Sequence, residues 1–110
     1  MSFKVALVVD PDRDNVATIL RKRVEIGETL VFSVGEKEFQ IAVRSDIPYG
    51  HKLAISPIKT GEAVIKYGTV IGKATVNIEI GEHVHVHNID SFRGRGDLVK
   101  EKGVVQNGEL

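Results

Sequence analysis

A glycine-containing pattern recurs four times in the second to fourth fifths of the chain, and it restricts the fold more than any other feature. Each copy has an apolar residue, two residues of mixed character, a glycine, a polar residue and a later apolar residue. The copies occupy residues 24–30, 47–53, 58–64 and 78–84. Their irregular spacing argues against a solenoid. Because glycine accepts positive φ without strain, each copy is predicted to be a tight turn that opens a new strand.

Proline defines one of these turns more closely. Pro48 precedes Tyr49 and Gly50, and a type I turn favours proline at its second position and glycine at its fourth. The sequence therefore predicts a type I turn with Pro48 second and Gly50 fourth.

Short apolar runs separate the turns and favour strands. The predicted strands cover residues 4–9, 16–20, 30–34, 39–43, 52–55, 62–65 and 70–75, with a hairpin turn at 35–38 and another turn at 66–69. Residues 16–20 also fit a helix capped by Asp14, but the β-rich remainder of the chain favours a strand. The predicted fold is all-β, as a barrel, a sandwich or a stack of folded hairpins.

The C-terminal residues differ in character from the rest. Residues 91–97 are rich in glycine and arginine, and little in 98–110 could pack into a core. The sequence predicts one domain over residues 1–90 and an extended or disordered, flexible arm over 91–110.

Charge and length exclude several functional classes. Fifteen basic residues balance fifteen acidic ones in a chain of 110 residues, which argues against binding to nucleic acid or to an anionic membrane. The chain has no cysteine, and no apolar run approaches the roughly 20 residues of a membrane span. The start of the chain does not resemble a signal peptide, so a cytoplasmic location is expected.

Three of the four histidines alternate with valines after the last glycine turn. In a strand, His83, His85 and His87 would share one face, and Val84 and Val86 would share the buried face. His83 and His87 would then lie roughly 13 Å apart, at about 3.3 Å per residue. One ion could therefore take two neighbouring histidines but not all three, unless the strand bends. As site residues, His85 and His87 are favoured over His83, which lies nearest the turn. The alternative to a site is an exposed face on which the histidines happen to alternate.

Other polar residues are also site candidates. His51 could act as a general acid or base near neutral pH, and the adjacent Lys52 could hold a substrate carboxylate. Asp14 and Asn15 could bind a metal or sugar hydroxyls, although turn chemistry explains them equally well. Asn88, which closes the histidine run, is a further candidate for substrate binding.

Five motifs in order resemble one enzyme family. They are Asp14-Asn15-Val16-Ala17, Gly50-His51-Lys52-Leu53-Ala54, Gly61-Glu62-x-Val64-Ile65-Lys66-Tyr67-Gly68, Ile71-Gly72-x-Ala74 and Gly81-Glu82-His83-Val84-His85-Val86-His87-Asn88. Over roughly residues 4–97 the chain resembles the N-terminal domain of the altronate/galactarate dehydratase family. The resemblance implies a SAF-type β-clip fold. It also implies sugar-acid dehydration, in which the proton next to a carboxylate is removed and the neighbouring hydroxyl is expelled, with iron or manganese as cofactor.

The resemblance also implies a partner. In many members this domain is fused to a much larger one, and here the chain ends at Leu110, as in members divided into a small and a large subunit. The chain is therefore expected to be the small subunit of a sugar-acid dehydratase, inactive without its large subunit.

Site roles follow from this expectation. His51, His85 and His87 would be catalytic, and His85 and His87 would bind a metal that is shared with, or held by, the large subunit. Arg93 and Arg95 would clamp an anionic substrate or dock on the large subunit. The alternatives are the small subunit of a sulfolactate sulfo-lyase, whose motifs are the same, a non-catalytic SAF-type carbohydrate-binding module, and an independent metalloprotein.

Overall fold

The computed structural model describes residues 5–91, and every regular element among them is a short strand. The strands are β1 (Ala6–Leu7), β2 (Val16–Ile19), β3 (Arg23–Val24), β4 (Thr29–Val34), β5 (Lys37–Ala42), β6 (Ile47–Pro48), β7 (Lys52–Ala54), β8 (Ala63–Lys66), β9 (Thr69–Ala74), β10 (His83–Val84) and β11 (Ile89–Ser91). The all-β prediction is confirmed, and so is the choice of a strand for residues 16–20. Within residues 5–91 there is accordingly no helix that could cross a membrane.

The strands form four small antiparallel sheets. The largest has the order β1-β2-β7-β10, and a three-stranded sheet has the order β11-β9-β8. Strands β3 and β6 form one pair, and β4 and β5 form a hairpin. Two apolar clusters fill the interior, one around Ile19, Leu30 and Ile47 and the other around Ile58, Val64 and Ile78. Small sheets folded against two cores give a chain of short strands enough buried surface for stability.

The four glycine turns share one hydrogen-bonding scheme. In each, the residue after the glycine donates its N–H to the carbonyl three residues earlier, as between Glu82 and Glu79 at 3.1 Å. The glycines have φ between 82° and 96°, as the repeated pattern predicts. In each turn the glycine also pairs with one buried residue elsewhere in the chain. The N–H of the glycine donates to the carbonyl of that residue, and the N–H of that residue donates to the carbonyl of the residue after the glycine. Those buried residues are Val43, Ile19, Ala74 and Ala54 in turn order.

The type assigned to the second turn is wrong. The N–H of His51 donates to the carbonyl of Pro48 at 3.1 Å, so Pro48 is the first residue of the turn and Gly50 the third. Gly50 has a φ of 82°, and positive φ at the third position defines a type II turn. The glycine is required because few other residues adopt that conformation.

The four turns are arranged as two similar halves. In the first half, Val24 pairs with Ile47; in the second, Ile58 pairs with Ile78. In each half a hairpin, β4-β5 or β8-β9, connects the two turns. A side chain also links them in each half: Asp46 accepts from the N–H of Ile26, and Asn77 accepts from the N–H of Thr60, both at 2.9 Å. Pairing of β7 with β10 joins the halves.

The predicted strands differ from the observed ones by at most two residues at each end, and β3, β6 and β11 are not among the predicted strands. Val34 pairs with Lys37, so the first hairpin turns at residues 35–36 and not over 35–38. Strand β11 extends to Ser91, and the rest of the predicted arm, including Arg93 and Arg95, lies outside the described residues.

Candidate histidine site

The histidine run does not form the extended strand that its alternation predicts. Strand β10 contains only His83 and Val84, and the chain then bends back through residues 85–88. The buried amide of Asn88 holds the bend: its Oδ1 accepts from the N–H of His85 at 3.0 Å, and its Nδ2 donates to the carbonyl of His83 at 2.8 Å. Such local side-chain hydrogen bonds compete with strand pairing. Val84 is buried as predicted, but Val86 is 74% exposed.

This bend gathers histidines that an extended strand would separate. The ring centroids of His83 and His87 lie 5.0 Å apart, so the separation expected for an extended strand is wrong. The centroids of His83 and His85 lie 5.5 Å apart, with nearly parallel planes.

Strand pairing brings the fourth histidine to the same place. Strand β10 runs antiparallel to β7 with Val84 opposite Lys52, so continuing this register sets His85 opposite His51. Their rings stack with centroids 3.9 Å apart. Nδ1 of His51 lies 2.9 Å from Nε2 of His83, so in the neutral pair one nitrogen donates and the other accepts. All four histidines of the chain thus form one surface group, which we call the histidine cluster (His51, His83, His85 and His87).

Burial and mutual repulsion keep two of these imidazoles uncharged. Burial, and then the charges of His87, His51, His85 and Lys52, lowers the pKa of His83 to about 4. The pKa of His85 is also lowered, first by burial and then by His51, Lys52 and His87. A neutral imidazole offers a ring-nitrogen lone pair to a metal or a proton.

Part of the cluster fits a divalent metal ion. Within residues 5–91, His51, His83 and His85 are the set of three potential ligands whose nitrogens all lie within 4.8 Å of one another. The 2.9 Å between the nitrogens of His51 and His83 is close to the ~3 Å that separates two ligands at right angles with bonds of about 2.1 Å. Nδ1 of His85 is buried and has no hydrogen-bond partner, and it is the one buried side-chain nitrogen of the described residues with this property. Of the predicted pair His85 and His87, only His85 belongs to this set.

The acidic and amide side chains before β2 support the fold. Asp14 is buried, and its carboxylate accepts from the N–H groups of Val9 and Asp10 at 3.2 Å each and of Gly68 at 2.7 Å. Asn15 donates to the carbonyl of Ala63 at 2.9 Å and accepts from the N–H of Ile65 at 2.7 Å. These contacts tie the β8-β9 hairpin to β2. A role for either residue in substrate binding stays a prediction, and so does that role for Asn88.

A groove adjoins the histidine cluster. It has a volume of about 550 Å³, and His85, Val86 and Lys52 are among the residues that line it. Lys66 and Tyr67 line it from the β8-β9 hairpin. Of the predicted site residues, Lys52 and His85 line this groove, and His51 stacks on His85. The groove is large enough for a small organic acid.

Sequence reasoning missed three participants in this region. The sequence favours His85 and His87 over His83, and it places Lys66 and Tyr67 in a predicted turn. One signal for His83 is present in the sequence: Asn88 is a residue type whose side chain often closes local turns. For Lys66 and Tyr67 the sequence holds no comparable signal, because their place beside the groove depends on the packing of β8 against β2.

We expect the free energy of unfolding of the metal-free chain to fall as the pH is lowered from about 6.5 to about 4. Folded His83 takes up its proton only near its lowered pKa of about 4, whereas a histidine of the unfolded chain does so near 6.5. Between these values the unfolded state binds more protons, so acid favours it. The contribution is about 1–2 kcal/mol, because partial exposure to solvent weakens the interactions of His83.

Urea unfolding of the wild type and His83→Gln at pH 7 and pH 4.5 measures this contribution. The glutamine variant lacks the titrating group, so its loss of stability between the two pH values should be smaller than that of the wild type. Equal losses in the two proteins would contradict the assignment to His83.

The fold and the cluster together define a small all-β domain that carries an imidazole group beside an open groove. Residues 5–92 match the altronate/galactarate dehydratase SAF domain, and the chain belongs to this family. It is 40% identical over 93 residues to the (2R)-sulfolactate sulfo-lyase subunit alpha of Chromohalobacter salexigens, covering 83% of this chain and 99% of that subunit. It is 44% identical over 77 residues to the altronate dehydratase of Bacillus subtilis and 41% identical over 92 residues to that of Escherichia coli.

The relatives differ in how much of their length corresponds to this chain. The match to the B. subtilis enzyme covers 69% of this chain but only 14% of that enzyme. The match to the E. coli enzyme covers 77% of this chain but only 18% of that enzyme. The resemblance seen in the motifs is therefore confirmed as family membership, in a family of dehydratases and lyases.

Proposed function

We propose that this chain is the small subunit of a metal-dependent lyase that eliminates a leaving group from a hydroxy acid and yields a 2-keto acid. The observation that carries the proposal is the convergence of all four histidines around His85, which lines a groove. Membership of the dehydratase family supports the reaction class. The large subunit would supply the rest of the active site, since the matched region is a small fraction of the altronate dehydratases.

The leading substrate class is a sugar acid of the altronate or galactarate type. The proton next to the carboxylate leaves to a base, and its bonding electrons pass into the carboxylate, which becomes an enediolate. These electrons then form the carbon–carbon double bond as the neighbouring carbon–oxygen bond breaks, and the hydroxyl takes up a proton and departs as water. The resulting enol becomes a 2-keto-3-deoxy acid when its β-carbon takes up a proton and its hydroxyl releases one.

Each residue of the cluster has a distinct proposed role. His51, His83 and His85 would hold an iron or manganese ion, since neutral imidazole binds such metals. When bound, that ion would supply positive charge that stabilises the enediolate. His87, whose ring lies beside His83 but outside the set of three, would transfer a proton. Lys52 would hold the substrate carboxylate.

The second candidate is the small subunit of a sulfolactate sulfo-lyase. The specific observation in its favour is the match to 99% of the length of such a subunit. The chemistry is the same up to the leaving group: a carbon–sulfur bond breaks, sulfite departs, and the enol becomes pyruvate. The same residues would serve both reactions, so the substrate must be determined by assay.

We expect activity only when the chain is combined with its large partner subunit. The test mixes the purified chain with a large lyase-type subunit and follows release of 2-keto acid from altronate, galactarate and sulfolactate. His85→Gln should lower the rate at least about 100-fold, because it removes a metal or proton-transfer group. Gln40→Ala, a change at an exposed position on β5, is the control.

A second readout follows metal binding by the chain itself. Titration with Mn²⁺ or Co²⁺ should show weaker binding for His85→Gln and unchanged binding for Gln40→Ala. The proposal fails if the two chains form no complex, or if the mixture is no more active than the large subunit alone. Unchanged activity of His85→Gln would instead favour a non-catalytic binding module.

A further inference from the structure

Exposed apolar side chains line the groove beside the histidine cluster. Within residues 5–91, Tyr67 is 40% exposed, Val70 41% and Val86 74%, and all three line the groove together with Ile71. The proposed elimination chemistry uses Lys52 and the histidine cluster, because a hydroxy acid is held by charge and hydrogen bonds. It gives the apolar side chains no role, although their exposure to water is unfavourable. Exposed apolar groups gathered on one surface are typical of a protein interaction site.

A β-bulge directs two neighbouring side chains of β9 into this groove. Val64 pairs with Gly72, but the next pair is Ile65 with Val70. Ile71 is therefore the extra residue of the strand. Neighbours on a regular strand face opposite sides, whereas Val70 and Ile71 both line the groove. Bulges redirect side chains in this way next to functional sites, and this one places two adjacent apolar side chains on one surface.

Val86 is held in place although its side chain is exposed. It lies in the bend after β10, where the N–H groups of Asn88 and Ile89 both donate to the carbonyl of His85, at 3.1 and 3.2 Å. The side chain of Asn88 fixes the same bend, and valine has few χ1 rotamers. An apolar group that is already fixed loses little entropy when a partner covers it, which favours binding.

The chain leaves the domain beside the same surface. Strand β11 ends at Ser91, which lines the groove, and the match to the SAF domain ends at residue 92. The matched region is only 14% and 18% of the two altronate dehydratases, so most of each enzyme lies outside it. Because the resemblance is to an N-terminal domain, the rest of such an enzyme would begin next to the groove. The connection therefore favours this side of the domain as the contact surface for the larger part.

Charge restricts the chemistry of the partner. Lys52 and Lys66 line the groove, whereas none of the described residues that line it is an aspartate or a glutamate. Nζ of Lys66 lies 4.9 Å from the centre of the Tyr67 ring, and this cation–π contact keeps the ammonium group beside the apolar surface. A segment that presents apolar side chains and a carboxylate is complementary to both features.

We propose that the apolar surface formed by Tyr67, Val70, Ile71 and Val86 is the docking site for the large subunit. The occupant is a segment of that subunit with apolar side chains and a carboxylate that pairs with Lys66. The inference rests on the proposed function and identifies the surface through which the two chains combine. Because His85 lines the same groove, docking there would bring the large subunit's share of the active site next to the histidine cluster.

Binding of a large lyase-type subunit to variants of the full chain tests this inference. Val70→Asp should raise the Kd at least about thirtyfold, because a carboxylate buried among apolar groups is costly. Val31→Asp is the matched control, since Val31 is 53% exposed on β4 in the other hairpin. It should change the Kd less than about threefold, and urea unfolding shows whether both variants are folded.

The charge of Lys66 is tested separately. Lys66→Met keeps most of the side-chain length and removes the ammonium group, so it should raise the Kd about tenfold and make binding less sensitive to salt. Lys59→Met, at an exposed lysine of the third glycine turn, is the control. Equal affinities and equal salt dependence of these two variants would contradict the carboxylate assigned to the partner segment.

The outcomes separate this inference from the proposed function. If the two chains form a complex but Val70→Asp binds as tightly as Val31→Asp, the docking site lies elsewhere and the lyase function stands. If no complex forms, the proposed function and the inference both fail. If the free chain forms dimers that Val70→Asp dissociates, the occupant is a second copy of this chain and the inference is overturned.

Methyl NMR spectra of the labelled full chain show directly which surface is covered. The signals of Val70, Ile71 and Val86 should shift or broaden when the large subunit binds, and those of Val31 should not. Groove signals that stay unchanged while a complex forms would overturn the inference. Such a result would mean that the large subunit does not reach this surface, or that the chain's own C-terminal residues already occupy it.

Discussion

We expect Gly81→Ala to lower the free energy of unfolding by about 3 kcal/mol or more, the sum of a backbone and a steric effect. Gly81 has a φ of 93°, a conformation that disfavours any residue with a Cβ. An alanine Cβ there would also lie 2.0 Å from the carbonyl oxygen of Ala42. That oxygen belongs to the backbone at the end of β5, so it cannot move aside as a flexible side chain would. Such a loss is a large part of the total stability of a small domain.

Gly61→Ala is the matched control. Gly61 occupies the same position of the third turn, with a φ of 88°, but nothing lies within 4 Å of its ideal Cβ. Its substitution should show the backbone effect alone, about 1–2 kcal/mol. Urea unfolding of both variants separates the two contributions. If the two variants lose the same stability, the contact with Ala42 is relieved by a small shift and the steric argument is wrong.

The consequences of Gly81→Ala should extend to the site. The N–H of Gly81 donates to the carbonyl of Ala54 at 2.9 Å, and its carbonyl accepts from the N–H of Arg44 at 2.8 Å. The turn therefore fixes the start of β10 against both halves of the domain, and His83 follows two residues later. A shift of this turn would displace His83 from His51, so the surviving folded protein should bind metal more weakly.

The glycine turns could be predicted from sequence because their cause is local. A glycine at a fixed place in a repeated pattern indicates positive φ, and all four glycines have it. The use of one turn type four times also predicted the many short strands. What the pattern could not provide is the partner of each turn, since Val43, Ile19, Ala74 and Ala54 lie at different sequence separations from their glycines.

The histidine site was predicted only in part, for a physical reason. Alternation of histidine and valine indicates a strand when nothing local competes with it. Here the side chain of Asn88 forms two hydrogen bonds with the backbone of the run, and the bend replaces the strand. The approach of His51 depends on the pairing of β7 with β10, a contact between residues about 30 positions apart. The sequence identifies both His51 and the histidine run as candidates, but only the tertiary fold shows that they lie in contact.

The same limit applies to Asp14 and Asn15. Their residue types suit a turn, a metal site or a sugar site equally well. The bonds from Asp14 to Gly68 and from Asn15 to Ile65 join residues 54 and 50 positions apart. Only the packing of the β8-β9 hairpin against β2 reveals that these side chains hold in place the hairpin that lines the groove.

The bend itself should depend on Asn88 more than on any histidine. We expect Asn88→Ala to lower the free energy of unfolding by about 2–3 kcal/mol, since it removes two hydrogen bonds and leaves the N–H of His85 and the carbonyl of His83 without that partner. Asn88 is only 4% exposed, so water would replace these bonds poorly. Without them the backbone of His83 and His85 is no longer held, so the ring nitrogens of His51, His83 and His85 would not stay within reach of one ion, and Mn²⁺ or Co²⁺ binding should weaken at least about tenfold.

Asn77→Ala is the control that isolates the site effect from a general loss of stability. Asn77 also holds backbone with its side chain, accepting from the N–H of Thr60 at 2.9 Å and from its hydroxyl at 3.0 Å. It is exposed and lies in the fourth glycine turn region, outside the histidine cluster, so its loss should reduce stability by only about 1 kcal/mol and leave metal affinity unchanged. Histidine-ring ¹⁵N spectra and metal titrations of both variants provide the comparison. If Asn88→Ala retains the ring shifts and the metal affinity of the wild type, the clustering of the imidazoles is due to the pairing of β7 with β10 alone, and the role assigned to Asn88 is wrong.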